Sequence, residues 1–136
     1  MPNIPQTVRT IALQFAIDGT EKAAGQCEYQ SRSLAQGLCD IGFRAQAFEG
    51  QFRPTTAPAT WNRWCREDHA DFGQTRFGHC WVEVDDFILD PTAAQFGEEP
   101  LLVVSISDAR YRSPKRLLAT ADEPYSFAIP QTKQII

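Results

Sequence analysis

No run of apolar residues in this 136-residue chain approaches the roughly 20 that a membrane-crossing helix needs, so no membrane partner is expected. Basic residues are in the minority: 13 Lys and Arg stand against 17 Asp and Glu, leaving a net charge of -4. Without a basic face to neutralise phosphates, nucleic acid is not an expected partner either. A basic protein or peptide remains compatible. The opening residues Met1-Pro2-Asn3-Ile4-Pro5 lack a basic segment leading into an apolar one, so no secretory signal is read. Cytoplasmic residence is the expectation, and export by a route without a cleavable signal would look the same. Cysteine is sparse: four residues, at 27, 39, 65 and 80. No pair is spaced Cys-x-x-Cys, and a signal-less chain favours free thiols over disulfides. Repeats and low-complexity tracts are absent. The whole of 1–136 is read as one undivided domain, long enough to bury a core without covalent staples.

What is present begins with helices. Val8, Ile11, Ala12, Phe15 and Ala16 recur at helical spacing and predict an amphipathic helix over 7–17. Gly19 suits a left-handed terminal position after it. Leu34, Ala35, Leu38 and Cys39 continue a face that starts near Cys27 and Ser31, predicting a second helix over 27–40 that Gly42 ends. Strand signals follow: 43–52, with Gly50 at a bulge, a hairpin over 77–90, and 101–106. Residues 107–115 read as irregular, and 125–129 as a last edge strand before Pro130. Residues 53–76 carry Pro54 and Pro58 and read as a long loop, of the length that more often forms a lid or faces a substrate. Helices first and strands afterwards favour an α+β fold, with N-terminal helices packed on an antiparallel β-sheet.

Three residues in that frame belong to nucleophile chemistry. Cys27 follows Gly25-Gln26 and opens a helix, where unpaired amides and the dipole favour the thiolate and can also hold an oxyanion. In the strand 77–84, His79, Trp81 and Glu83 share one face, and Cys80, Val82 and Val84 the other. The apolar set is assigned to the core, and the helix bearing Cys27 is expected on the side of His79. If the turn centres on Asp85-Asp86, Val84 pairs with Phe87 and Trp81 with Asp90. That register puts Asp90 on the face of His79, one diagonal away. Taken singly, each residue has a plainer reading: a buried thiol, an idle histidine, a solvated turn aspartate. Jointly they spell Cys27-His79-Asp90, a thiol with its base and the orienter of that base.

These residues stand in recognisable contexts: Gly25-Gln26-Cys27, His79-Cys80-Trp81-Val82-Glu83 and Asp90-Pro91-Thr92. Over about 20–95 the chain resembles the transglutaminase-like branch of the papain-like cysteine enzymes. The resemblance implies a papain-like core with Cys27 as nucleophile, His79 as general base and then acid, and Asp90 as its orienter. It implies action on amides of a protein or peptide substrate, by proteolysis, glutamine deamidation or amide transfer, and no cofactor. Bacterial effectors and peptide-maturation proteases belong to the group. Gln26 becomes a candidate oxyanion donor, and Trp81 either walls the site or belongs to the core. The chain departs from larger members in its small size and in lacking a calcium-binding carboxylate loop, which speaks against protein cross-linking.

Two other classes compete. Cys65, His69, His79 and Cys80 are zinc-ligand types, but His79 and Cys80 leave a strand on opposite faces and suit one ion poorly, so no metal is expected. A catalytically inactive binding module of the same fold is the other alternative, with Glu83, Asp85 and Asp86 as an acidic edge for a basic partner. Oligomeric state is left open by the sequence.

Overall fold

The computed structural model describes residues 4–55 and 77–119. Three helices come first: α1 (Gln6–Phe15), α2 (Thr20–Ala23) and α3 (Cys27–Asp40). Five strands follow: β1 (Ala45–Phe52), β2 (Phe77–Val84), β3 (Phe87–Asp90), β4 (Leu102–Ser105) and β5 (Tyr111–Leu117). They form one sheet in the order β4-β3-β2-β1-β5, every neighbouring pair antiparallel. A 3-10 turn, Ala93–Phe96, lies between β3 and β4. The fold is α+β, with its helices ahead of an antiparallel sheet as the order of sequence patterns predicts.

The apolar stripes decide which surfaces meet. Leu34, Ala35 and Leu38 of α3 join Val8 and Ala12 of α1 against Ala47, Cys80, Val82, Val84 and Leu89 of the sheet. Moving each large apolar side chain out of water contributes about 1.5–3 kcal/mol. One expectation is corrected here: α3 covers the face of Cys80 and Val82, not that of His79. The fully apolar set on β2 is the better surface for Leu34 and Leu38. The opposite face is buried too, under aromatic side chains: Trp81 joins one cluster with Ile88, Phe48 and Tyr111, and Phe52, Phe77 and Phe96 form another.

A second correction concerns 107–115, expected to be irregular. Tyr111–Leu117 is an edge strand paired with β1, Phe52 opposite Tyr111 and Phe48 opposite Leu117. Its residues are mostly exposed, so no apolar alternation betrays it. Pro114 is tolerated because an edge strand leaves some N–H positions unpaired. Arg116 Nη2 anchors it to Glu49 Oε1 at 2.6 Å. The four-residue α2, opened by Gly19 at φ 109, is too short to leave a periodic signal. The expected loop over 53–76 and strand over 125–129 fall almost wholly outside the described residues, as do Cys65 and His69.

The bulge expected at Gly50 is present. The β1–β5 register shifts between Glu49 and Gln51. A Cβ at Gly50 would come within 2.5 Å of Trp81 Cη2 and 3.0 Å of the Arg112 carbonyl oxygen, so glycine is required for the close approach of ring and edge strand. Gly50→Ala is expected to destabilise the fold by about 1–3 kcal/mol, the usual cost of overpacking a filled site. A lowered denaturant midpoint at unchanged slope is the result to look for.

Candidate active site

The hairpin register fixes two of the three predicted residues. Val84 stands opposite Phe87, Glu83 opposite Ile88 and Val82 opposite Leu89. Asp85 turns the corner at φ 53, in the left-handed region that Asp tolerates better than most residues. Extending the ladder by one step sets Trp81 against Asp90, and the diagonal then joins Asp90 to His79. Their side chains meet: His79 Nε2 lies 2.7 Å from Asp90 Oδ2. Both residues are fully inside, His79 at 1% exposure and Asp90 at 0%.

A buried carboxylate needs donors on all sides, and Asp90 has them. Its Oδ1 accepts the Thr92 backbone N–H at 3.1 Å, an Asx turn that Asp90-Pro91-Thr92 readily forms. Its Oδ2 accepts the Tyr111 hydroxyl at 2.6 Å as well as the imidazole. Around His79 the walls are aromatic. The Phe96 ring stands edge-on at 4.9 Å, Phe52 lies at 5.3 Å and Trp81 at 6.2 Å. Gln95, from the 3-10 turn, places its amide nitrogen 3.4 Å from His79 Nδ1 and 3.2 Å from Thr92 Oγ1.

Cys27 is the first residue of α3, with Gln26 as its N-cap and no side-chain bond closing the end. The first amides of a helix have no partners within it, so this uncapped end leaves donors beside the sulfur. Gly25, at φ 81 with open space around its Cα, brings the chain into the helix by a turn other residues adopt only with strain. Cys27 packs against the core cluster that holds Cys80. The ladder with β3 runs from Val82 to Val84, and on its other edge β2 pairs with β1, His79 opposite Gly50 and Cys80 opposite Glu49. The groups that act on the ionisation of Cys27 are the Cys80 thiol, the His79 ring and the Cys80 backbone.

These contacts set the charges. The hydrogen bond from Cys80 is the largest influence on Cys27; burial opposes it, and the His79 ring adds a hydrogen bond and a positive charge. The thiol is brought down to about 4. Burial pushes His79 down, but the charge and hydrogen bond of Asp90, with help from Cys27, overcome it and lift the ring to about 9. Cys80, hydrogen-bonded to Cys27 and buried, is driven far up and stays a thiol. Between those limits the pair rests as thiolate and imidazolium. Such a site holds a ready nucleophile, a proton for a leaving group and uncapped amides for an oxyanion.

The other two predicted residues stand apart from this cluster. Gln26 is exposed at the helix cap and makes no capping bond. Trp81, 1% exposed, lies behind the imidazole as core, its Nε1 donating to Glu83 Oε2 at 3.0 Å. Sequence reasoning misses Tyr111 and Gln95, and weighs Cys80 only as a metal ligand. Only Cys80 carried a signal, as the neighbour of the histidine. His79 and Cys80 leave β2 on opposite faces, and among the described residues no group of three metal-ligating side chains gathers. Compared with protein-family models, with curated proteins and with solved structures, the chain finds no match.

Proposed function

We propose that this protein is a cysteine-dependent amide hydrolase or acyl-transfer enzyme of papain-like type, with Cys27, His79 and Asp90 as its triad. One observation carries the reading: a fully buried imidazole is engaged by a carboxylate at 2.7 Å, and the helix-initial thiol of Cys27 is the other group that raises its ionisation. Structural histidines seldom need both. The order of a helix-borne cysteine, then strand-borne histidine and aspartate, supports the resemblance to the transglutaminase-like branch.

The chemistry runs as follows under this reading. The Cys27 thiolate attacks the carbonyl carbon of an amide, and the uncapped amides of α3 hold the resulting oxyanion. His79 gives its proton to the departing nitrogen, so ammonia or an amine leaves and a thioester remains. The now neutral His79 takes a proton from water or an incoming amine, which attacks the thioester. The acid or the new amide departs, and the thiolate and imidazolium are restored. Asp90 keeps its charge and holds the ring in place throughout.

Alkylation tests this without knowledge of the substrate. The rate of Cys27 carboxamidomethylation, read site by site by mass spectrometry, is expected to rise through about pH 4 and stay level across neutrality. Exposed Cys39 serves as the internal comparison. A Cys27 that reacts only as pH approaches the ordinary thiol range overturns the proposal. Turnover is expected to follow a broad bell. Acid below about 4 protonates the nucleophile, and base above about 9 removes the proton that the leaving group needs. Incubation with candidate proteins then separates the outcomes: chain scission marks a protease, and the small mass gain of glutamine becoming glutamate marks a deamidase.

A further inference from the structure

Asp90 holds the imidazole through Oδ2, and that same oxygen accepts a second, shorter hydrogen bond from Tyr111 Oη at 2.6 Å. Tyr111 begins β5, the edge strand carried by β1 beyond the bulge at Gly50. Its ring is packed edge-on against Phe52 at 4.9 Å and Trp81 at 5.0 Å. Burial and the charge of Asp90 raise its ionisation well above the ordinary phenol value, so it remains a donor throughout the working range.

We propose that Tyr111 is a positioning residue of the Cys27-His79-Asp90 site, its hydroxyl fixing the plane of the Asp90 carboxylate and sharing the charge of Oδ2 with His79. The inference rests on the functional reading above for its catalytic meaning, though not for its geometry. Two donors on one oxygen divide its negative charge between them. Without the hydroxyl, Oδ2 has only the ring N–H to satisfy it on that side, and the imidazolium proton is held more tightly. The hydroxyl thus keeps His79 acidic enough to release its proton to a leaving group. The groups acting on His79 are Asp90 and Cys27; those acting on Tyr111 are Asp90, Arg110 and Asp108. Tyr111→Phe leaves all of these in place and keeps the ring that Phe52 and Trp81 pack against.

The test compares the full chain with Tyr111→Phe by NMR titration of the His79 ring, with Cys27 alkylation followed over the same pH range. Loss of the hydroxyl is expected to move the His79 titration upward by about 0.5–1 pH unit, and the alkaline limb of turnover with it. Replacing Tyr111 by 3,5-difluorotyrosine, a more acidic phenol in the same packing, is expected to move it downward, and this second variant serves if the first folds poorly. A His79 titration that stays in place in both variants, whatever their melting temperatures, makes Tyr111 a packing residue only and overturns the inference. A wild-type Cys27 alkylated only near the ordinary thiol range refutes the functional reading instead, while the His79 titrations still decide the role of Tyr111.

Discussion

Cys27→Ala is expected to remove turnover altogether, a loss on the order of 10⁶, the scale reached when a covalent enzyme loses its nucleophile. Nothing else in the described structure can replace the sulfur. Cys80, although adjacent, loses its partner Cys27 in this variant but keeps the burial and the nearby Glu49 and Glu28 charges that raise its thiol, and it lies among the apolar side chains beneath α3. Cys27→Ser is expected to be just as inactive, because an alcohol is far less acidic than a thiol and His79 cannot hold it ionised. Stability changes little in either variant. Cys27 is only partly buried, the helix keeps Leu34, Ala35 and Leu38 in the core, and substitutions of this size outside a packed core usually fall within about 1 kcal/mol. Turnover and melting temperature measured on the same preparation check this. Retained turnover sinks the triad, and unchanged binding of a partner in an inactive wild type would favour the binding-module alternative.

Much of this geometry is legible in the sequence because strand pairing is arithmetic. A two-residue turn at Asp85-Asp86 fixes Val84 against Phe87, and parity then carries Asp90 to the face of His79 with no further information. The limits of α3 are similarly plain, since Gly25-Gln26 and Gly42 bracket an unbroken apolar stripe. The side of the sheet that α3 covers is a different matter. Alternation distinguishes faces only where one is polar, and β2 buries both: Cys80 and Val82 under helices, His79 and Trp81 under aromatic rings. The register argument survives that error because the meeting of His79 with Asp90 depends on β2–β3 parity and not on which face the helix covers.

Long-range partners are the rest of what the sequence does not show. Tyr111 meets Asp90 across 21 residues and Gln95 meets His79 across 16. Neither sits in a local pattern that ties it to the site. Tyr111 belongs to an edge strand whose residues are mostly solvent-facing, and such a strand is specified by its pairing with β1 rather than by its own periodicity. Thr92 is the intermediate case. An Asp-Pro-Thr sequence announces an Asx turn, so its backbone bond to the carboxylate is readable while the carboxylate's other donors are not.

Asp90→Asn is expected to cut turnover by about 10⁴, the cost recorded when a triad carboxylate is neutralised, and the way it fails is informative. Burial alone pushes His79 down, and the charge of Asp90 is the largest influence lifting it. An amide at position 90 keeps the shape of the side chain but supplies no charge, so the ring is expected to titrate well below 9, with only Cys27 left to oppose burial. The consequence passes to Cys27, which loses the positive charge and the hydrogen-bonding proton of its neighbour. Its alkylation limb is expected to move toward higher pH, though not the full distance, because the bonds from the Cys80 thiol and backbone remain. The carboxylate meets three donors, the Thr92 N–H, the Tyr111 hydroxyl and the His79 ring, and the amide puts an NH2 group in place of one of its oxygens, so at least one of those bonds is lost. Leaving one buried donor unsatisfied costs about 1–3 kcal/mol, which a denaturation curve resolves. An Asp90→Asn variant with wild-type alkylation and wild-type turnover would mean that the carboxylate only braces the β3 turn, and that the thiolate owes nothing to the charge behind its histidine.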